Sequence, residues 1–257
     1  MYYYIFDIRQ CKNKAHGEKI KDYLAELGIG GEYVYPSQAR TAKELVGDAL
    51  ARDFSTIVAI GNDGLISDVA SELVGNKSAF GIIPLNASQS IVDLVNGEDW
   101  HRAAQNLRYR KIKEIKLGEF ENGQFFLTNT YLLANNPVNI TLEFDDFIAQ
   151  SRVKKFIISN INPGEEKEDW NLLDIFMISE EENSGSIISK LTSMISTKVK
   201  DKRIFESYFK AQRFRVFSHK NLNFCVGKQI VATTPQLIKT SRENLRLIIS
   251  RDLHSTK

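Results

Sequence analysis

The stretch best suited to chemistry is Gly61-Asn62-Asp63-Gly64, which follows an apolar run, Thr56 to Ile60, and precedes a helical pattern. Gly61 and Gly64 permit a sharp reversal, and Asn62 and Asp63 tolerate left-handed backbone. A turn of this kind at the carboxyl end of a parallel strand aims backbone N–H groups, and the positive end of the next helix, at one point. That arrangement suits a phosphate group. Asp63 would then orient a metal ion or accept a proton. The same four residues also suit an ordinary strand-to-helix turn in which Asp63 caps the helix.

The elements that must position this turn read as repeated βα units. Residues 2–8 form an aromatic and β-branched strand. Ile20, Tyr23, Leu24 and Leu27 make a helical stripe that ends at Gly28. Residues 32–35 read as a second strand. Thr41 and Glu44 form a capping box ahead of Ala42, Leu45, Val46 and Ala49. Residues 56–60 and 80–83 have the continuous apolar character of buried parallel strands. Ile66, Val69, Ala70 and Leu73 mark the helix between them. Trp100, Ala103, Ala104 and Leu107 mark another. Residues 1–113 therefore predict an α/β domain with a parallel sheet.

Beyond that point the period changes. Strand candidates at 115–120, 124–132, 138–144, 154–161, 172–179, 213–218, 222–226 and 229–233 predict a β-sandwich domain over 114–240. It carries one helix at 186–200, lined by Ile187, Ile188, Leu191, Met194, Ile195 and Val199. Residues 241–257 are expected to return to the first domain.

With 42% hydrophobic and 26% charged residues, the chain has a globular composition, and no apolar run is long enough to span a bilayer. A net charge of +2 gives no electrostatic case for nucleic acid. Cys11 and Cys225 match no metal spacing and read as reduced thiols of a cytoplasmic protein. His16, His101, His219 and His254 are scattered, and no Walker A loop or nucleophile elbow is present.

The span from Ile57 to Leu73 resembles the signature of the diacylglycerol/sphingosine lipid kinase family: a strand, Gly-Gly-Asp-Gly-Thr, then a helix. Phe80-Gly81-Ile82-Ile83-Pro84-Leu85 is similar to the family's next strand. Arg110-Lys111-Ile112 through Gly118, followed by Gln124-Phe125-Phe126-Leu127, resembles its entry to the second domain. Leu172-Leu173-Asp174-Ile175 and Cys225-Val226-Gly227-Lys228 fall where later family motifs stand. The Pro84-Leu85 pair sets the chain apart from the related NAD kinases.

This resemblance implies ATP bound at Gly61, Asn62, Asp63, Gly64, Pro84, Asn86 and Ser88, and Mg²⁺ offsetting phosphate charge. It implies transfer to a diacylglycerol-like lipid hydroxyl, with Asp63 the catalytic acid that is kept. The motifs are degenerate. Asn62 and Leu65 replace a glycine and a threonine, and Asn86-Ala87-Ser88-Gln89 replaces Gly-Thr-Gly-Asn. Lys116 and Trp170-Asn171 replace further acidic positions, and Val226 and Lys228 replace both acids of Asp-Gly-Glu. Asp7-Ile8-Arg9-Gln10 occupies the place of a phosphate loop. A catalytically inactive lipid- or nucleotide-binding relative is the alternative, unless Glu119, Asp145 or Asp174 supplies the missing acid. The basic run Lys198, Lys200, Lys202, Arg203, Lys210, Arg213, Arg215 and Lys220 suits either a solvated surface or an anionic membrane met peripherally.

Overall fold

A computed structural model describes residues 1–97, 99–134, 136–161, 171–180, 204–227 and 229–250. The first domain begins with β1 (Tyr2–Phe6), α1 (Lys14–Glu26), β2 (Gly31–Val34), α2 (Ala42–Ala51) and β3 (Thr56–Gly61). It continues through α3 (Asp63–Leu73), β4 (Ala79–Pro84), α4 (Gln89–Leu94), α5 (Trp100–Tyr109) and β5 (Lys111–Ile115). The second domain contains β6 (Gly118–Phe120), β7 (Phe125–Phe126), β8 (Asn129–Leu133), β9 (Val138–Glu143), β10 (Ile148–Val153), β11 (Lys155–Ser159) and β12 (Leu173–Glu180). Its later strands are β13 (Ile204–Ala211), β14 (Arg213–Ser218), β15 (Asn223–Val226), β16 (Gln229–Thr233) and β17 (Gln236–Thr240). The chain then re-enters the first sheet as β18 (Leu245–Ile249).

The first sheet has the order β2-β1-β3-β4-β18-β5. Strands β1 to β4 and β18 run parallel, and β5 pairs antiparallel with β18, so the sheet is mixed at its edge rather than wholly parallel. All six residues of β3 and of β4 are buried, which is why both read as unbroken apolar runs. β1 ends at Phe6, two residues sooner than the strand expected over residues 2–8. Asp7 leaves the sheet and caps a short 3₁₀ turn over Ile8–Gln10. The Thr41–Glu44 capping box forms as its sequence demands.

The remaining strands build two antiparallel six-stranded sheets, β10-β9-β14-β17-β6-β7 and β13-β12-β11-β8-β15-β16. They share one core, in which Phe120, Phe126, Phe156, Phe214 and Phe224 are buried together, so the domain is a β-sandwich. Leu117, Leu127 and Ile161 instead join the core of the first domain, tying the halves together. The predicted strand 115–120 is two strands, β5 in one sheet and β6 in another, because the chain changes domain at Lys116–Leu117. The helix expected at 186–200 lies outside the described residues. No helix among the described residues is long and apolar enough to cross a membrane.

Candidate active site

The strand order places β1 between β2 and β3, so connections leave β1 and β3 toward opposite sides of the sheet. A crevice opens at such a switch point, beyond the carboxyl ends of the strands. Three turns meet there: Asp7–Gln10 after β1, Gly61–Gly64 after β3, and Leu85–Ser88 after β4. Gly61 is in register with Pro84, and the Leu85 amide donates to the Gly61 carbonyl at 2.8 Å.

The helix cap is Asn62, not Asp63. The Asn62 carboxamide oxygen accepts from the Leu65 amide at 3.2 Å. Asp63 is thereby the first residue of α3, with its carboxylate free to reach outward. The carboxylate accepts from the Ser88 amide at 2.8 Å and, through its other oxygen, from the Ser88 hydroxyl. A helix leaves its first amides without intrahelical acceptors. With Asn62 taking that of Leu65, the amides of Asp63 and Gly64 face the crevice at the positive end of α3.

The second domain closes over this point. A Cβ built on Gly227, in the turn after β15, would lie 3.2 Å from Asp63 Cβ, and one built on Gly64 would lie 3.7 Å from Gln229 Oε1. Gly227 has φ of +57°, so a side chain there would be strained as well as crowded. Ser88 and Ser90 hydroxyls lie 3.0 Å apart, and Ser90 donates to the buried Thr128 hydroxyl at 3.3 Å. A chain of hydroxyls thus runs from Asp63 across the domain junction.

Of the seven residues expected to bind the nucleotide, Gly61, Asn62, Asp63, Gly64, Asn86 and Ser88 lie on these adjoining turns, and Pro84 is the buried last residue of β4. The Asn86 carboxamide is spent within the protein, donating to the Gln10 carbonyl at 3.1 Å. Leu65 partly roofs Gly61, since a Cβ there would sit 2.9 Å from Leu65 Cδ2 and 3.4 Å from Asp7 Cβ. Asp7 is buried. Burial opposes its ionisation, but hydrogen bonds from Arg9 and Gln10 outweigh it and hold the carboxyl below its usual range.

Ser90, Thr128 and Gly227 were not singled out as partners of Asp63 by sequence reasoning. In the sequence Gly227 stands only within a family motif whose two acids are substituted, and nothing local marks the two hydroxyls. Of the three acids that might replace those missing, Glu119 pairs with Lys239 at 3.3 Å and Asp145 with Arg213 at 3.9 Å. Asp174 is buried and accepts from the Tyr208 hydroxyl at 2.7 Å. None of these contacts brings the three acids to Asp63. Lys228, Trp170 and the basic residues Lys198, Lys200, Lys202 and Arg203 lie outside the described residues. Arg213 and Arg215 are exposed on β14, Arg215 in register with Glu143.

Comparisons with known proteins agree with this layout. The family model for the diacylglycerol kinase catalytic domain matches residues 9–120. A candidate diacylglycerol kinase from Bacillus anthracis str. Sterne superposes with a TM-score of 0.75 at 14% identity, covering 98% of each chain. A further diacylglycerol kinase structure from the same organism gives 0.71 at 15% identity, covering 98% of this chain and 97% of the other. An NAD kinase from Archaeoglobus fulgidus, solved with ATP, gives 0.57 at 13% identity, covering 99% and 96%. No curated protein sequence matches. The chain as a whole has the two-domain fold seen in diacylglycerol kinases and in an NAD kinase, and its match to the diacylglycerol kinase catalytic-domain model spans residues 9–120.

Proposed function

We propose that the chain is an ATP-dependent lipid kinase that phosphorylates the hydroxyl of a diacylglycerol-like lipid at a membrane surface. The observation that carries this reading is the position of Asp63. It opens α3 at the crevice, bonded to Ser88 on one side and backed by Gly227 of the second domain on the other. The free amides at the start of α3 suit nucleotide phosphates, and the hydroxyls of Ser88 and Ser90 lie beside them.

Asp63 keeps lone pairs beyond its two bonds from Ser88, and one carboxylate with the nucleotide's own phosphates is a common Mg²⁺ set. Among the described residues no three His, Cys, Asp or Glu side chains converge, so a metal ion here would depend on the nucleotide's phosphates beside Asp63. Bound there, Mg²⁺ would offset phosphate charge. Asp63 would also hold the acceptor hydroxyl and receive its proton as the phosphoryl group transfers. Lys210, Arg213, Arg215 and Lys220 would favour anionic lipid, giving a cytoplasmic protein that meets membranes peripherally.

One observation favours the second reading, a binder without transfer. Leu65 covers Gly61 where the family's hydroxyl would stand, and the Asp7 carboxylate beside it repels phosphate. Transfer of radiolabel from ATP to diacylglycerol in mixed micelles, run beside a thermal shift with Mg-ATP, separates the two. Labelled phospholipid supports the kinase. A nucleotide-induced shift with no product supports the binder, and neither signal removes both.

A further inference from the structure

Helices α1 and α5 lie side by side on the first sheet, joined where the Gln105 carboxamide donates to the Tyr23 hydroxyl at 3.0 Å. A groove of about 670 Å³ runs along them. Its α1 wall carries Lys12, His16, Lys19, Asp22, Tyr23 and Glu26, which share one side of the helix. Lysines stand toward the start of this wall and acids toward its end. The helix dipole favours the reverse, yet α1 has no acid in its first turn and no base in its last. Asp22 and Glu26, four residues apart, also repel each other. Among the described residues none of Lys12, Lys19, Asp22 and Glu26 forms an ion pair. α1 thus gives up stability for a charge pattern that answers nothing within the chain, a sign of a role beyond folding.

The α5 wall is aromatic. Trp100 stacks on His101 with 3.5 Å between ring centroids and meets Tyr23 edge-on at 5.6 Å. Trp100 and Tyr23 are both half-buried, and rings of these two types supply much of the energy where proteins meet. The charge pattern spans the 13 residues of α1, about 20 Å at 1.5 Å per residue. That length suits another helix rather than a small zwitterion.

A surface that is basic at one end and acidic at the other becomes complementary to itself when turned end over end. That is the condition for a two-fold contact. We infer that the groove takes a second copy of this chain, the two α1 helices crossing antiparallel. With the axis midway between Lys19 and Asp22, each Lys19 faces the partner's Asp22. Each Glu26 faces the partner's Ala15, with lysines at 12 and 19 roughly one turn to either side. Trp100 and Tyr23 lie beside these pairs and shield them from water. The α1 helices start at the carboxyl ends of their strands, so the two crevices lie at opposite ends of the pair and both stay open. The pairing does not rest on the reading of Asp63.

Sedimentation equilibrium of the full chain from about 10 μM to about 1 mM should show monomer and dimer in exchange. A monomer throughout overturns the inference and leaves the groove to some other occupant. Lys19→Glu and Asp22→Lys each alter an exposed residue, so both variants should fold. Each sets like charges opposite one another twice across the axis and should weaken the dimer about tenfold or more. Mixed in equal amounts, the two variants should pair with each other, because each reversal then meets the opposite one. The mixture should return to within about threefold of the parent's affinity. A role confined to the stability of α1 would not be rescued by mixing. Single variants that dimerise as the parent does, or a mixture no better than either alone, would overturn the pairing.

Discussion

The turns leaving the neighbouring strands β1 and β3 each carry an aspartate, and they use it in opposite ways. After β1, Asp7 turns inward. Its carboxylate accepts from the Arg9 amide at 3.2 Å, the Arg9 guanidinium at 2.7 Å and the Gln10 amide group at 3.1 Å, and α1 does not begin until Lys14. After β3, Asn62 does the capping and α3 starts at once, so Asp63 reaches across to another turn. A turn that satisfies its own acid closes. A turn whose cap comes from the preceding residue keeps both its acid and its helix end for a ligand.

The largest effect that would break this contrast is on transfer. Replacing the proposed base, Asp63→Ala, should lower the transfer rate by about 10²- to 10⁴-fold, the usual worth of a positioned base. Asp7→Ala should leave the rate within about tenfold of the parent, measured with the same micelles. Equal losses in the two variants would mean that neither turn is special.

A smaller effect concerns the roof over Gly61. Leu65 is buried, and Leu65→Thr exchanges apolar packing for a hydroxyl, which should cost about 1–3 kcal/mol in chemical denaturation. The same variant should shift further with Mg-ATP than the parent does, because it removes the δ-methyl against Gly61 and returns a donor to the turn. A variant that loses stability and gains no nucleotide response would show that Leu65 only packs.

How legible these two turns were differs for physical reasons. β3 and β4 are buried on both faces and so read as unbroken apolar runs, and the glycines around Asp63 announce a sharp reversal. In the sequence Asp7 looks like part of a strand, because a hydrogen-bonded 3₁₀ turn of three residues leaves no period. α4 was missed for a similar reason, being six residues long. β10 was missed because Gln150, Ser151 and Arg152 break any alternation. It is an edge strand held by its pairing with β9. The partners of Asp63 were the least legible. Ser90 and Thr128 are 38 residues apart, and their contact depends on how two domains dock. A local pattern carries no record of that.

Asp7 sharpens the contrast through pH. Its carboxyl is held below the ordinary value, so it contributes stability above the unfolded pKa of about 3.9, and that contribution is lost as pH falls through the folded value. Asp7→Asn should therefore be less stable than the parent at pH 7 by about 1 kcal/mol, the net scale of one intramolecular hydrogen bond. The gap should close below about pH 4. Arg9 is 73% exposed, so its ion pair adds little to this and is screened by salt. With one negative charge removed from the crevice, Mg-ATP should bind Asp7→Asn no more weakly than the parent. Weaker binding would mean that the β1 turn, closed as it is, still orders the nucleotide site.

The smallest effect belongs to the hydroxyl that joins the two halves. Ser90 stands between Ser88 and Thr128, and a neutral hydrogen bond of this kind is worth about 0.5–1.5 kcal/mol. Ser90→Ala should cost about that in urea unfolding and leave Asp63 bonded to Ser88, since neither of those bonds involves Ser90. Transfer should then fall by less than about tenfold, as a bond that only braces the site moves the rate less than the acid itself does. The double variant Ser90→Ala with Thr128→Val decides what the link is for. If the hydroxyls only fill space, the second change adds its full cost to the first. If they act as one connection between domains, the first change already breaks it and the second costs much less. Non-additive stability together with a retained Mg-ATP response would place the brace outside the nucleotide site. Non-additive losses in both would make the β3 turn depend on the second domain, a dependence the β1 turn, bonded to itself, does not share.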